Sequence, residues 1–192
     1  MKLGYSIILF AVMATTIFIS CKKWTDPAAP KDPRLNDHRY CNDPLAVNYN
    51  WNFPGVADNT VCIYPSDLFK GTYSFTDSVY DNQQNLDTIN PRKTYLLYFL
   101  PVTKYQFRVV GFCGVFDSLK FTAERSTYRA NADTTIFQFD TIKVYGQYFC
   151  RQLDTLTGYF QKNKNDSTLM TVQFRVVSDT GTFFHKGTAV KN

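Results

Sequence analysis

The residues of this chain best suited to covalent chemistry are its cysteines. They are Cys21, Cys41, Cys62, Cys113 and Cys150. Cys21 directly follows an apolar stretch that runs from Gly4 to Ser20, so its thiol lies at the end of an apolar segment. The other four make an even set, which is typical of disulfides in an exported protein. Three pairings are possible. Proximity in the sequence favours joining the second cysteine to the third and the fourth to the fifth.

The first twenty residues have the pattern of an export signal. Lys2 supplies a positive start, the apolar stretch follows, and the small residue Ser20 precedes Cys21. The apolar stretch is slightly short for a membrane helix, which needs about 20 residues. We therefore predict that residues 1–20 are a cleaved signal peptide, with an uncleaved membrane anchor as the alternative.

The cleavage region contains a recognisable motif, Phe18-Ile19-Ser20-Cys21. It resembles the lipobox of bacterial lipoproteins, with Phe18 where Leu is usual. The resemblance implies that the Cys21 thiol receives a diacylglycerol and that the new amine is acylated after cleavage. Several acyl chains anchor firmly, since each buried CH₂ contributes about 0.8 kcal/mol. Asp after the cysteine often signals inner-membrane retention in that family. Lys22 therefore favours the outer membrane, and either face of it is compatible with the sequence.

Two short segments separate the anchor from the rest of the chain. Residues 21–40 are rich in Pro and poor in apolar residues, which predicts a semi-rigid tether. Residues 41–66 begin with Cys41, contain Cys62 and are dense in Asn, Asp, Pro and Gly, which form turns. A unit this small needs a staple, and a disulfide closing a loop of about 20 residues adds roughly 3 kcal/mol in the chain-entropy model.

Residues 41–66 also resemble a short module of exported Gram-negative bacterial proteins. The matching residues are Cys41, Asp43-Pro44, Ala46, Asn48-Tyr49-Asn50, Asp58, Cys62 and Tyr64. The family often has Asp-Gly-Ser where this chain has Asn59-Thr60-Val61. The resemblance implies export and no activity. Asp43 and Asp58 are candidate calcium ligands, but the spacing of an EF-type loop is absent, so we favour turn capping for both.

Residues 67–192 are predicted to form an all-β domain. Glu124 is the only Glu of the chain, whereas Thr, Tyr, Phe and Val are abundant, which disfavours helices and favours strands. About eight to nine strands with period-two alternation predict an antiparallel barrel or sandwich. The segments Leu68–Tyr73 and Gly181–Ala189 resemble the first and last strands of small lipocalin-like barrels in bacterial lipoproteins. The resemblance implies an up-and-down barrel.

The alternation also bears on the second disulfide. If Phe107 and Val109 face inward, the same face reaches Cys113, and if Val144 faces inward, that face reaches Tyr148 and Cys150. Both thiols then lie on apolar faces at strand ends, which favours a bond between them. Two buried free thiols are the alternative.

Few residues could support catalysis or bind a metal. The histidines are His38, in the tether, and His185, in the last strand, where we expect a surface or rim position. Two distant histidines do not make a zinc site, and no G-x-S-x-G motif is present. Glu124 could pair with Asp117 or Asp140 as in a glycosidase, but nothing selects either partner. We therefore expect no catalytic site, no metal and no cofactor.

These patterns favour a non-catalytic outer-membrane lipoprotein with a binding or structural role. Its expected partners are the membrane, through the anchor, and a small apolar ligand, a glycan or an envelope protein. A net charge of +5 without a long basic run excludes an obvious nucleic-acid surface. The alternatives are an envelope glycan hydrolase that uses Glu124 with an Asp, and an inhibitor or assembly accessory protein with an exposed apolar patch.

Overall fold

The structure, a computed structural model, describes residue 35 and residues 37–50, 55–88, 92–114, 118–139 and 142–192. The predicted signal peptide, Cys21 and most of the predicted tether lie outside the described residues. From Asp37 onward the chain forms one unit, which contains both the small module and the β domain. None of the helices in the described ranges is long and apolar enough to cross a bilayer.

The described residues contain twelve strands. They are β1 Arg39–Tyr40, β2 Val56–Ala57, β3 Gly71–Tyr80, β4 Lys93–Pro101, β5 Gln106–Val110, β6 Ser118–Ala123, β7 Arg129–Ala132, β8 Thr135–Phe139, β9 Ile142–Phe149, β10 Arg151–Lys162, β11 Leu169–Ser178 and β12 Gly181–Lys191. β1 and β2 form a short parallel pair. Eight of the other strands close an antiparallel barrel in the order β3-β4-β5-β6-β7-β10-β11-β12, because β12 pairs back with β3. The predicted all-β class is confirmed, and the sheet is a barrel.

The hairpin of β8 and β9 lies beside the closed ring. β9 pairs with the beginning of β10, whereas β7 pairs with the end of that strand. The Gln147 side chain of β9 bonds to the backbone N–H and C=O of Lys120 in β6, both at 2.8 Å. Gln147 therefore connects β9 to β6 where β7 does not reach.

β7 is a strand that the sequence did not predict. Its residues, Arg-Ala-Asn-Ala, have little intrinsic preference for extended structure. They are held there by ladders to β6 on one side and to β10 on the other. Small side chains suit this position, since Ala130 faces the Phe160 ring across the ladder and both are fully buried.

Aromatic rings fill most of the barrel interior. Phe121 lies at the centre, with its ring centroid 4.7 Å from that of Phe160, 5.7 Å from that of Phe107 and 5.8 Å from that of Phe174. These rings are almost completely inaccessible to solvent. These buried, mutually packed rings form the core of the barrel.

The two ends of the barrel differ. We call the end with the β4–β5 turn the lower end and the other the upper end. The short 3-10 helix Pro65–Leu68 lies against the lower end, where the Ser66 hydroxyl donates to the Thr103 carbonyl at 2.6 Å. Phe69 follows and stacks on Phe107, with ring centroids 5.1 Å apart. The lower end is therefore closed by the chain that leads into β3.

The small module contains the predicted Cys41–Cys62 disulfide, with 4.9 Å between the Cα atoms. Asp43 accepts hydrogen bonds from the Leu45 N–H, the Tyr64 hydroxyl and the Lys104 ammonium. Asp58 accepts from the N–H and hydroxyl of Thr60 and from Arg39. Asp43 and Asp58, the two calcium candidates, thus cap turns and pair with cations.

We expect these two carboxylates to make the module sensitive to acid. The Lys104 hydrogen bond lowers the pKa of Asp43 from 3.8 to about 2, and bonds from Thr60 lower the pKa of Asp58 to about 2. A depressed folded-state pKa gives stability that is present above 3.8 and is lost as pH falls through about 2. Amide NMR signals of Leu45 and Thr60 should therefore keep their positions down to pH near 3.8 and shift below it. Asp43→Asn should remove the transition at Leu45 alone, and a midpoint near 3.8 for both amides would contradict the expectation.

The second disulfide joins Cys113 to Cys150 at the upper end, with 4.9 Å between the Cα atoms. The predicted facing of β9 is wrong in part, because Tyr148 is exposed rather than inward. A bulge interrupts the β9–β10 register between Arg151 and Thr155, and Gly146 has φ of +142°. Such irregularities change which face of the sheet the following side chains point to. The next residue, Phe149, packs against the core instead.

Candidate functional site

Two polar residues face the interior of the upper end. In β3 the buried positions are Tyr73, Phe75 and Asp77, so an acid continues the inward row. The ladder between β3 and β12 places Gly187 opposite Asp77 and His185 opposite Val79. Residues opposite each other in an antiparallel pair point to the same side. His185 is therefore inward and diagonal to Asp77.

Asp77 and His185 form a close pair. His185 Nδ1 lies 2.6 Å from Asp77 Oδ2, and the exposed fractions of the two side chains are 14% and 0%. The close approach of β3 and β12 depends on Gly187, because a Cβ there would lie 1.9 Å from the Thr76 carbonyl oxygen. A carboxylate is rarely this buried without a partner, and His185 is the partner of one of its two oxygens, Oδ2.

The other oxygen of the carboxylate is unexplained by the fold. Asp77 Oδ1 is buried and has no hydrogen-bond partner within the described part of the chain. The hydroxyls of Tyr73 and Thr155 share this condition, but each is a neutral group. Leaving a buried acceptor unsatisfied costs about 1–3 kcal/mol, and more when the group is charged. Such a group in a folded protein calls for an explanation, and a functional role is one.

Three half-buried aromatic side chains surround this region, and we call them the aromatic cup. They are Tyr95, Phe112 and Phe149. The Phe112 centroid lies 5.3 Å from that of Tyr95 and 5.9 Å from that of Phe149. Phe149 in turn lies 5.9 Å from the ring of His185. The cup rests on the fully packed rings below, and its three side chains are only partly buried.

The electrostatics of the cup reflect Asp77. Burial raises the pKa of the Tyr95 hydroxyl, and the charge of Asp77 raises it further. Tyr95 therefore stays protonated at neutral pH and keeps a hydroxyl donor.

The rim of the cup is held by the upper disulfide. Phe112 and Phe149 each directly precede a half-cystine, so the Cys113–Cys150 bond ties together the two segments that carry these rings. Gly111 permits the close approach of this segment to β4, since a Cβ there would lie 2.2 Å from the Leu96 carbonyl oxygen. The staple limits how far the two cup residues can separate.

The arrangement combines one buried acceptor with several aromatic faces. A ligand N–H or O–H could satisfy Asp77 Oδ1, and the rings offer a flat apolar surface that also attracts cations. His185 orients the carboxylate through the other oxygen. This chemistry fits recognition of a mostly apolar molecule that carries a hydrogen-bond donor.

Among the residues considered for catalysis, His185 belongs to this site, whereas His38 and Glu124 lie elsewhere. A surface or rim position was expected for His185, and it lies at the upper end of the barrel with its side chain turned inward and 14% exposed. His38 is exposed and its carbonyl accepts from the Val56 N–H at 2.8 Å. Glu124 follows β6 and caps its own turn, accepting from Thr127 at 2.7 Å and from Asn131 at 2.6 Å. Its two proposed partners, Asp117 and Asp140, lie outside the described residues.

Sequence reasoning missed Asp77, although a signal was present. Asp77 is in phase with Tyr73, Phe75 and Val79, so an acid occupies the apolar face of an otherwise regular strand. No similar signal identifies the cup, which is assembled from three separate segments. Within the described ranges, no three His, Cys, Asp or Glu side chains come together as metal ligands.

Comparisons with known proteins add little to this description. No protein family model matches the chain, and no curated protein matches it. Among solved structures, the redesigned beta barrel b11L5F_LGL is similar with a TM-score of 0.39 and 11% identity, over 67% of this chain and 95% of that one. EF1p2_mFAP2b bound to DFHBI is similar with a TM-score of 0.41 and 13% identity, over 67% of this chain and 97% of that one. Both likenesses are weak, and the barrel described above rests on its own strand pairing.

Proposed function

We propose that this chain is an outer-membrane lipoprotein, anchored through Cys21, whose barrel binds a small and mostly apolar ligand in the aromatic cup. The ligand carries at least one N–H or O–H donor, which bonds to Asp77 Oδ1. The function is non-catalytic: the protein holds the ligand at the cell envelope.

Two features support an exported, anchored protein. The lipobox-like residues Phe18–Cys21 end an apolar stretch that follows Lys2. Downstream, all four remaining cysteines are paired in two disulfides. Structural disulfides persist in oxidising compartments such as the periplasm and the cell surface.

The observation that carries the ligand proposal is the orphan oxygen of Asp77 beneath the cup. A buried acceptor without a donor destabilises the folded protein, whereas a hydrogen bond from a ligand donor would offset that free-energy cost. The half-buried rings supply apolar area at the upper end, and the packed rings below limit the ligand to that end.

A fluorescent aromatic amine tests this proposal. 1-Aminoanthracene has a flat apolar body and a donor, and its emission rises in apolar sites. We expect saturable binding to the purified full chain and binding about tenfold weaker in Asp77→Asn, since a hydrogen bond to a charged group contributes about 1.5–3 kcal/mol. Anthracene, which lacks the donor, should bind equally to both proteins.

Asp179→Asn is the matched control, because Asp179 is an exposed acid in the β11–β12 turn at the same end of the barrel. It makes the same change of charge without touching the cup, and its affinity for 1-aminoanthracene should equal that of the wild type. Absence of saturable binding, or equal weakening in both variants, would refute the cup as the ligand site.

A further inference from the structure

The outer wall of the barrel carries an exposed row of large apolar side chains, which we call the apolar stripe. It consists of Leu96, Tyr98, Leu100 and Val102. Their exposed fractions lie between 42% and 56%. Leu96, Tyr98 and Leu100 are successive outward positions of β4, and Val102 begins the turn that follows this strand. Single exposed apolar residues are ordinary, but a contiguous row of this kind marks an interaction surface.

The strand pairing widens the stripe on both sides. Val110 lies opposite Tyr98 on β5. On the other side only Ser74 separates Leu96 from Val190, which is 45% exposed. Side chains opposite each other on one face of a sheet are neighbours, so these residues belong to one surface.

The strands around the stripe carry basic side chains on their outer face and no outward-facing acid. Strands β3, β4, β5, β6 and β12 hold a single Asp or Glu, Asp77, and it faces inward. Arg108 lies opposite Leu100 on β5 and directly opposite Lys120 on β6. Like charges in such a pair repel each other, so an anion bound between them would relieve the repulsion.

A groove lies at this point of the wall. It has a volume of about 330 Å³ and is lined by Val102, Gln106, Phe107, Arg108, Lys120 and Asp133. The carboxylate within it, Asp133, accepts from the Thr122 hydroxyl at 2.5 Å. The groove therefore connects the lower end of the apolar stripe, at Val102, to the two cations. An anionic lipid has a matching arrangement, because its acyl chains adjoin a charged phosphate.

We propose that the barrel wall of β4, β5 and β6 docks on an anionic lipid bilayer, with the apolar stripe at the level of the headgroups and Arg108 and Lys120 against lipid phosphates. Interfacial surfaces combine apolar or aromatic anchors with Lys and Arg in this way. The proposal is independent of ligand binding in the cup. It concerns the folded barrel and not the acyl chain.

The chemistry of the wall favours lipid over a protein partner. A protein interface of standard size buries about 800 Å² on each side and is depleted of charge at its centre. Here the two cations, which share the groove with the carboxylate of Asp133, adjoin a narrow row of aliphatic residues and one Tyr. An anionic polysaccharide would satisfy the cations but would leave Leu96, Leu100 and Val102 in water.

Site-specific tryptophan fluorescence tests the docking. The full chain is prepared with Trp24→Phe and Trp51→Phe, and a single reporter is introduced as Tyr98→Trp. The matched control is Thr157→Trp on β10, across the barrel from β4 in the closed ring. Each protein is mixed with vesicles of brominated phosphatidylcholine, with and without phosphatidylglycerol.

We expect brominated lipid to quench the reporter at position 98 several times more than the reporter at position 157, and only when phosphatidylglycerol is present. Arg108→Gln with Lys120→Gln, or high salt that shortens the Debye length to about 3 Å, should abolish most of this quenching. The apolar N-terminal stretch is the same in all proteins, so a difference between them reports the orientation of the barrel.

Equal quenching at both positions, or none at position 98, would overturn the proposal. So would quenching in vesicles of phosphatidylcholine alone that is indifferent to salt, because the cations would then have no part. A shift of the position-98 emission by soluble dextran sulfate, without quenching by brominated lipid, would assign the wall to an anionic polymer and reject the bilayer.

Discussion

Cys21→Ala is expected to abolish incorporation of radiolabelled palmitate into this protein in growing cells, whereas the wild type is labelled. The reason is chemical: the thiol is the nucleophile that takes the diacylglycerol, and a methyl group cannot replace it. The lipobox-like segment Phe18–Cys21 is the basis of the expectation. Intact-mass measurement of purified protein should show loss of residues 1–20 and added acyl mass in the wild type only.

Ser20→Ala is the matched control, because it keeps a small residue before the cysteine and keeps the thiol. It should be labelled like the wild type. Membrane fractionation alone would not decide the question, since an uncleaved apolar stretch also binds bilayers. Label that persists in Cys21→Ala, or a wild type that is uncut and unacylated, would reject the anchor. Protease treatment of whole cells, applied to the same strains, reports which face of the membrane carries the barrel.

His185→Ala is expected to lower the free energy of unfolding by about 1–3 kcal/mol, the cost of leaving a buried acceptor without its hydrogen-bond partner. Asp77 is fully buried, and its Oδ1 already lacks a partner. Removing the imidazole would leave the whole carboxylate in an apolar surrounding. Urea unfolding with the disulfides intact measures the change.

Two further variants separate the charge from the lost packing of the imidazole ring. Thr188→Ala, an exposed position of the same strand, should change the unfolding free energy by less than about 1 kcal/mol. Asp77→Ala combined with His185→Ala removes the buried charge and should be more stable than His185→Ala alone. If the double variant is instead less stable than His185→Ala, loss of packing and not the stranded carboxylate explains the effect.

The ligand proposal and the stability of the pair are linked. Residues that bind ligands are often poorly satisfied in the free protein, because the site is built for a complex. A ligand that donates to Asp77 Oδ1 should therefore raise the unfolding midpoint of the wild type by mass action. In this way Asp77 connects the energetics of the fold to the proposed function.

Much of the architecture could be predicted from the sequence, because it depends on local patterns. Period-two alternation and the scarcity of helix formers determine an antiparallel all-β domain. Cysteines close in the sequence are paired in the structure, as Cys41 with Cys62, because a short loop costs little entropy to close. The turn-capping role of Asp43 and Asp58 follows from side-chain chemistry that acts within a few residues.

The rest was decided by tertiary structure. Strand β7 has weak local preference and exists because β6 and β10 hold it. Tyr148 was assigned to the wrong face, since the alternation along β9 breaks between Tyr145 and Tyr148, where Gly146 has φ of +142°. The candidate site depends on β12 closing onto β3: only this ladder brings His185 to Asp77, across 108 positions of the chain. No local pattern contains that pairing, because it arises when the curvature and register of the whole sheet close the barrel.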